Sequence, residues 1–282
     1  MIRYEDLQES YIESMKAQLK DEFDDYVSSL SEDVVQGVRI NTLKALPEEV
    51  FEKINTFHEL IPWTNDGYYV DDTYKFTKHP YYYAGLYYVQ EPSAMTPVSW
   101  LDVQKSDKVL DLCAAPGGKS TQIASKLGPD GTLYSNDPSA SRCKALLKNI
   151  ELAGIGNVVI TCASPEELSN IYPDYFDRIL VDAPCSGEGM FRKDRAVLNA
   201  YREHGPEYFE PIQREVLDNA SLMLKKGGTM VFSTCTFSKM EDEDNVEWFL
   251  DSHKDFELIK MTKIYPHKVK GEGHFIAKFK RA

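Results

Sequence analysis

Two thiols in this sequence stand where an α/β sheet would do chemistry. The run Ile179-Leu180-Val181-Asp182-Ala183-Pro184-Cys185-Ser186 puts an acid, a proline and a cysteine at the end of a strand-like stretch. A second stretch ends in Ser233-Thr234-Cys235-Thr236-Phe237-Ser238. Open α/β sheets bind ligands at the carboxyl edge of their strands, so adjacent strands would bring Cys185 and Cys235 to one rim. A thiolate there is a nucleophile for covalent catalysis. Cysteines are more commonly small buried hydrophobes, the structural reading that suits Cys143 and Cys162, and Cys113 as a thiol.

A third segment, Asp111-Leu112-Cys113-Ala114-Ala115-Pro116-Gly117-Gly118-Lys119-Ser120, follows a strand and opens a helical pattern. Small residues let a ligand approach the backbone, and amides at a helix start favour a carboxylate or phosphate. A Walker loop needs glycine where Cys113 stands, which weakens a nucleotide-hydrolase reading based on Gly118-Lys119-Ser120 with Asp182 as its acid. A dinucleotide fingerprint is absent, yet Asp137 closes the second strand, where an acid can bind ribose hydroxyls. A ribose-bearing ligand with a carboxylate and no pyrophosphate satisfies both features. S-adenosylmethionine is such a ligand.

The elements needed to position these residues are legible as seven short strands from Val109 to Phe279, alternating with helical patterns. This predicts an α/β sandwich. The interval Lys260 to His274 holds Pro266, Gly271 and Gly273, leaving no room for a helix, so one of the last two strands should run antiparallel. Upstream, Leu7, Tyr11, Met15, Leu19, Phe23, Tyr26 and Leu30 recur at helical spacing. Val34 to Ile40 reads as a strand, and Pro47 as a first helical position. Residues 1–75 are expected to form a small α/β module and 76–282 a catalytic domain, with the tyrosine-rich stretch Tyr81 to Tyr88 as a packed junction.

The 282 residues carry a net charge of −13, which argues against coating nucleic acid by bulk charge. The imbalance is uneven: residues 1–35 hold ten acids and three bases, residues 254–282 eight bases and three acids. That positive end could face an anionic partner. Five cysteines, never closer than 19 residues, fit neither a disulfide framework nor a C-x-x-C metal site. No metal is expected. With no apolar run near the roughly 20 residues needed to span a bilayer, and no signal-peptide core in Met1 to Asp6, a cytoplasmic protein without a membrane partner is expected. A monomer is expected as well.

Asp111 to Ser120, Val181 to Asp194 and Ser233 to Phe237 resemble the signature motifs of the Sun (Nol/Nop/Sun) family of RNA cytosine carbon-5 methyltransferases. Val38 to Thr42 and Tyr88 to Met95 are also similar to family segments. Gly187-Glu188-Gly189-Met190-Phe191-Arg192-Lys193-Asp194 most resembles the bacterial ribosomal-RNA branch, the RsmF-like proteins. The resemblance implies a Rossmann-like, seven-stranded S-adenosylmethionine-dependent methyltransferase sheet. It also implies that Cys235 forms a covalent adduct with the base and that Cys185 assists release. Spacing alone leaves that order open, since DNA cytosine methyltransferases use the cysteine after proline. Asp182 would hydrogen-bond or protonate the target base. Residues Cys113, Ala114, Ala115, Pro116, Gly117, Gly118 and Lys119 would hold the methionine end of the cofactor, with Lys119 pairing its carboxylate or pointing to solvent. Asp137 would hold the ribose, and Asp182 would also border the cofactor. The family acid after the third strand is missing from Thr161 to Glu166, and Ser164 is expected to fill part of its place.

RNA binding would rest on local positives: Arg39, Lys44, Arg192, Lys193, Arg195 and Arg202. A flipped or single-stranded cytidine is the expected target, ribosomal RNA being favoured over transfer RNA, and Met190 to Tyr201 could wall its pocket. The other reading is a catalytically weak RNA-binding platform. RsmF-like proteins continue into a further RNA-binding region, whereas this sequence ends at Ala282.

Overall fold

The computed structural model describes residues 4–56, 58–71 and 73–282; Met1 to Arg3, part of the start read for a signal peptide, lie outside them. Seven strands form the main sheet: β5 (Lys108–Asp111), β6 (Thr132–Asn136), β7 (Val158–Thr161), β8 (Phe176–Asp182), β9 (Leu224–Thr234), β10 (Phe256–Ile264) and β11 (His274–Arg281). Their order is β10-β11-β9-β8-β5-β6-β7, parallel except for β11, which runs antiparallel to both β9 and β10. Successive side chains alternate between faces. Ile179 and Val181 enter one core with Phe232 and Phe275, while Leu180 enters the other with Val109, Leu133 and Val231. Helices Pro206–Met223 and Glu243–Ser252 cover the first face, and Gly118–Ala124 and Ala140–Ala153 the second.

The smaller sheet contains β1 (Gln36–Ile40), β2 (His58–Leu60), β3 (Gly67–Val70) and β4 (Tyr87–Val89), in the order β2-β3-β1-β4. The boundary expected at residue 75 cuts through this sheet, because Tyr87–Val89 pairs with β1. Tyr87 is buried in its core, with Tyr81 and Tyr82 packed alongside.

The first apolar stripe is buried at all seven positions, but its helix is not continuous. It breaks at Lys20, whose φ of 52° separates Glu9–Leu19 from the short turn Lys20–Glu22 and the helix Phe23–Ser29. The stripe packs against Phe191, Leu198, Tyr201 and Phe237. The chain's start therefore covers the segments that follow both site cysteines. Glu22 also meets Lys268 at 2.7 Å, and Lys254, Lys263, Lys270, Lys278 and Arg281 each pair with an acid. Those pairings neutralise much of the positive C-terminal stretch. Among the described residues, no helix is long and apolar enough to cross a membrane.

Candidate active site

Strand order reverses between β5 and β8, and the carboxyl ends of β5, β8 and β9 lie side by side, with Asp182 level with Ser233. Ligand sites of open α/β sheets form at such a switch point. A cleft with about 880 Å³ of open space, solvent mouth included, lies here. Its wall includes Cys113 to Pro116, Gly118, Lys119, Asp182 and Cys235, the last two from β8 and the loop after β9. Cys185 stands directly behind, its Sγ 3.3 Å from Cys235 Sγ. Two motifs fifty residues apart thus form one thiol pair.

The turn after β5 is built for close approach. Gly117 has φ of 111°, and a Cβ at Gly118 would stand 3.1 Å from the Tyr88 ring. Arg142 and Asn149 donate to the carbonyls of Ala115 and Pro116, at 2.7 and 2.8 Å, holding the loop open. Behind it Ser120 donates to Asp111 at 2.6 Å and accepts from Ser135. Burial, opposed by the Ser120 bond, pushes the Asp111 carboxyl up to about 7. Ser120 is fully buried. A Walker reading is disfavoured here, since the Ser120 hydroxyl is spent on buried Asp111 and the Lys119 ammonium on Asp182.

Lys119 neither faces solvent nor waits free for a cofactor carboxylate. Its Nζ is 2.7 Å from Asp182 Oδ2. Ser233 Oγ donates to Asp182 Oδ1 at 2.8 Å, and His274 Nε2 lies 3.4 Å from the same oxygen. Burial alone would raise the Asp182 carboxyl, but Lys119 and His274 outweigh it and hold it well below the usual carboxylate range. A carboxylate held ionised in this way presents oxygens that accept hydrogen bonds. The Cys185 thiol is pushed well up by its bond to the Cys235 sulfur and by burial, so it keeps its proton. Burial likewise pushes the Cys113 thiol up, in keeping with a structural cysteine.

Asp137 is fully buried just beyond β6 and accepts from Ser139 N at 3.0 Å. Its Oδ2 faces Arg142 Nη1 at 3.0 Å without an aligned hydrogen bond, so it retains acceptor capacity for a hydroxyl. Together with the small-residue loop, this donor and acceptor set fits a nucleoside carrying an amino-acid end. Ser164 caps the helix Pro165–Ile171, accepting from Glu167 N. Asp137, Gly117 and Ser164 are not part of the cleft wall.

The expected RNA contacts divide sharply. Arg39 is an internal bridge, buried to 2% exposure and donating to Gln90, Gly118 O and Thr121. Arg192 grips Glu272 through Nε and Nη2, at 2.8 and 2.9 Å, and donates to Ser29 O through Nη1. Both are thereby removed from the phosphate-binding set, because their donors are consumed inside the protein. Lys44 bonds the carbonyls of Ala84 and Leu152 and so docks the small sheet on the helix Ala140–Ala153. Arg195 pairs with Asp6 Oδ1 and Arg202 donates to Asp6 O. Lys193 is exposed at the cleft mouth, and Met190 lines the wall beside it. Sequence reasoning missed His274, Glu188 and Glu241 as site supports. The Gly271-x-Gly273 pair leading into β11 was the available signal for His274.

The family model described as 16S rRNA methyltransferase RsmB/F matches residues 98–280, and that for the N-terminal domain of 16S rRNA methyltransferase RsmF matches residues 7–92. Ribosomal RNA small subunit methyltransferase F of Klebsiella pneumoniae (strain 342) is 35% identical over 256 residues, covering 87% of this chain and 54% of that protein. The chain spans about half the length of the curated relatives it matches. The crystal structure of PH0851 superposes with a TM-score of 0.89 at 29% identity, covering 96% of this chain and 65% of that one. NSun6 from Pyrococcus horikoshii with SFG has the same fold, with a TM-score of 0.85 at 22% identity over 97% and 98% of the two chains. The fold is thus that of S-adenosylmethionine-dependent methyltransferases. With both family models in register with its two sheets, the chain belongs to the 16S rRNA methyltransferase RsmB/F family.

Proposed function

We propose that this chain methylates carbon 5 of a cytidine in small-subunit ribosomal RNA, through a covalent adduct of Cys235 at carbon 6. The observation that carries the reading is the thiol pair, Cys185 and Cys235 at 3.3 Å, with Cys235 sharing one cleft wall with the Lys119-paired Asp182. Bound S-adenosylmethionine would supply an electrophilic methyl group, held by Cys113 to Gly118 and Asp137. Carbon 5 of cytosine is a weak nucleophile. Addition of the Cys235 thiolate at carbon 6 forms a C–S bond and moves the 5,6 π electrons toward carbon 5. Asp182 accepts from the exocyclic amino group, and Lys119 places positive charge near the ring as its negative charge develops. After methyl transfer the Cys185 thiol gives its proton to solvent water, the resulting thiolate takes the carbon 5 proton, the C–H electron pair restores the 5,6 double bond, and Cys235 departs as thiolate with the C–S pair.

Cys185 suits this last step. The largest cause of its high pKa is the bond to the Cys235 sulfur. Adduct formation turns that sulfur into a thioether, which relieves the cause and makes Cys185 easier to deprotonate when a base is needed. A ribosomal RNA substrate places this work in the cytoplasm.

The test is mass spectrometry for 5-methylcytidine in unmodified small-subunit RNA, with S-adenosylmethionine and denaturing gels for RNA-linked protein. Wild type should methylate, Cys235→Ala should neither methylate nor form adduct, and Cys185→Ala should accumulate adduct. Methylation by Cys235→Ala would overturn the mechanism. Methylation of transfer RNA alone would move the substrate. Cofactor binding without turnover on any RNA would favour the platform reading.

A further inference from the structure

The loops carrying the two thiols are tied together behind the sulfurs. The β8–β9 ladder ends at Asp182 and Ser233, with one more bond from Ala183 N to Ser233 O. Beyond it, other groups must set the sulfur separation. Ser186, next to Cys185, donates its N–H to Glu241 Oε2 at 3.0 Å and its hydroxyl to Glu241 Oε1. The same hydroxyl is 2.8 Å from Thr236 Oγ1, next to Cys235. Gln213 Nε2 links Glu241 Oε2 and Pro184 O at 2.8 and 2.9 Å. Glu241 is wholly buried, and burial raises its carboxyl against these bonds. A buried carboxylate is costly unless its geometry does something neutral groups would not.

The two loops do not depend on this clasp equally. The Cys235 loop has anchors outside the Cys185 loop: Thr234 on Asp242 at 2.6 Å, Lys263 Nζ on Phe237 O at 2.9 Å, and Phe237 against Tyr26, while Gly189 N on Cys235 O and Phe237 N on Glu188 Oε2 join it to residues just beyond Cys185. Residues 184–186 are held through Glu241 and its partner Gln213. We propose that Glu241 is a positioning residue that keeps Cys185 beside Cys235, and so controls release of the methylated RNA rather than attack on the base. This rests on the proposed release role of Cys185.

The experiment compares Glu241→Gln, Glu241→Ala, Ser186→Ala and Cys185→Ala with wild type. It uses S-adenosylmethionine and unmodified small-subunit RNA, and measures adduct on denaturing gels, methyl transfer in the first turnover, steady-state turnover and thermal melting. Glu241→Ala and Ser186→Ala should raise adduct at least 10-fold and lower steady-state turnover at least 10-fold, with first-turnover transfer within about 3-fold of wild type. Glu241→Gln, which keeps the acceptor for Ser186 N, should fall between. Folded variants that form adduct and turn over like wild type, while Cys185→Ala accumulates adduct, overturn the role of Glu241 alone. Loss of first-turnover transfer in folded Ser186→Ala and Glu241→Gln overturns it too, by showing that attack depends on the clasp. Failure of Cys185→Ala to accumulate adduct overturns the release role and this inference together.

Discussion

Lys119 Nζ and Asp182 Oδ2 form a 2.7 Å ion pair across the floor of the cleft, between the helix after β5 and the end of β8. Removing one partner leaves the other charge in a poorly solvated site. Lys119→Met should destabilise the fold by about 2–4 kcal/mol and lower methyl transfer at least 100-fold, measured by urea unfolding and single-turnover assays. Lys119→Met combined with Asp182→Asn should recover most of the stability and none of the activity. Stability losses that simply add would show that the pair is not coupled.

Arg39 and Lys193 provide a second contrast. Arg39→Ala strands Gln90 Oε1 at the junction of the two sheets and takes one of two side-chain donors from Gly118 O, the unsatisfied group costing about 1–3 kcal/mol. It should lower the melting temperature and leave the salt dependence of RNA binding unchanged. Lys193→Ala should do the reverse, reducing the slope of log affinity against log salt by about 0.9 if it contacts one phosphate. Filter binding at several salt concentrations decides between these assignments.

The contrast shows which information a sequence carries. Strands β5, β8 and β9 were legible because β-branched runs end in small, polar residues, and the thiols follow from those ends. Arg39 sits in Val38-Arg39-Ile40, where alternation suggests an outward polar side chain, yet its acceptors Gly118 and Thr121 lie 79 and 82 residues away. Nothing local announces such a bridge. The first helical stripe was legible for the same reason Arg39 was not: periodicity reports that a face is buried, not what buries it. Its partners, Phe191 and Phe237, become neighbours only after the sheet forms. The break at Lys20 left the stripe's spacing intact and so left no mark on the pattern.

The cofactor residues separate by the roles their neighbours allow. Asp137→Ala should weaken S-adenosylmethionine binding at least 10-fold in calorimetry, because the buried carboxylate is the acceptor beside the Cys113 to Gly118 loop. Ser164→Ala should leave that affinity within 2-fold and cost about 1 kcal/mol of stability through its lost helix cap. A large affinity loss from Ser164→Ala would restore it as a cofactor contact.

Glu188 gives the fold a pH dependence of defined sign. Burial and the neighbouring Glu241 carboxyl push it from the usual 4.5 up to about 7, against the bonds from Phe237 N and Tyr201. Between those pH values the folded chain holds a proton at this site that the unfolded chain has released. Its contribution is therefore fully favourable below about pH 4.5 and declines as pH rises to about 7, a loss of about 2–4 kcal/mol. Glutamine has no such proton to lose and can still accept from Phe237 N. Glu188→Gln should match wild type near pH 4.5 and exceed it in stability at pH 8, measured by urea unfolding across the range. Asp111 titrates in the same direction in both proteins and cancels in the difference. A constant difference at all pH values would show that Glu188 ionises in the folded chain as it does in the unfolded one.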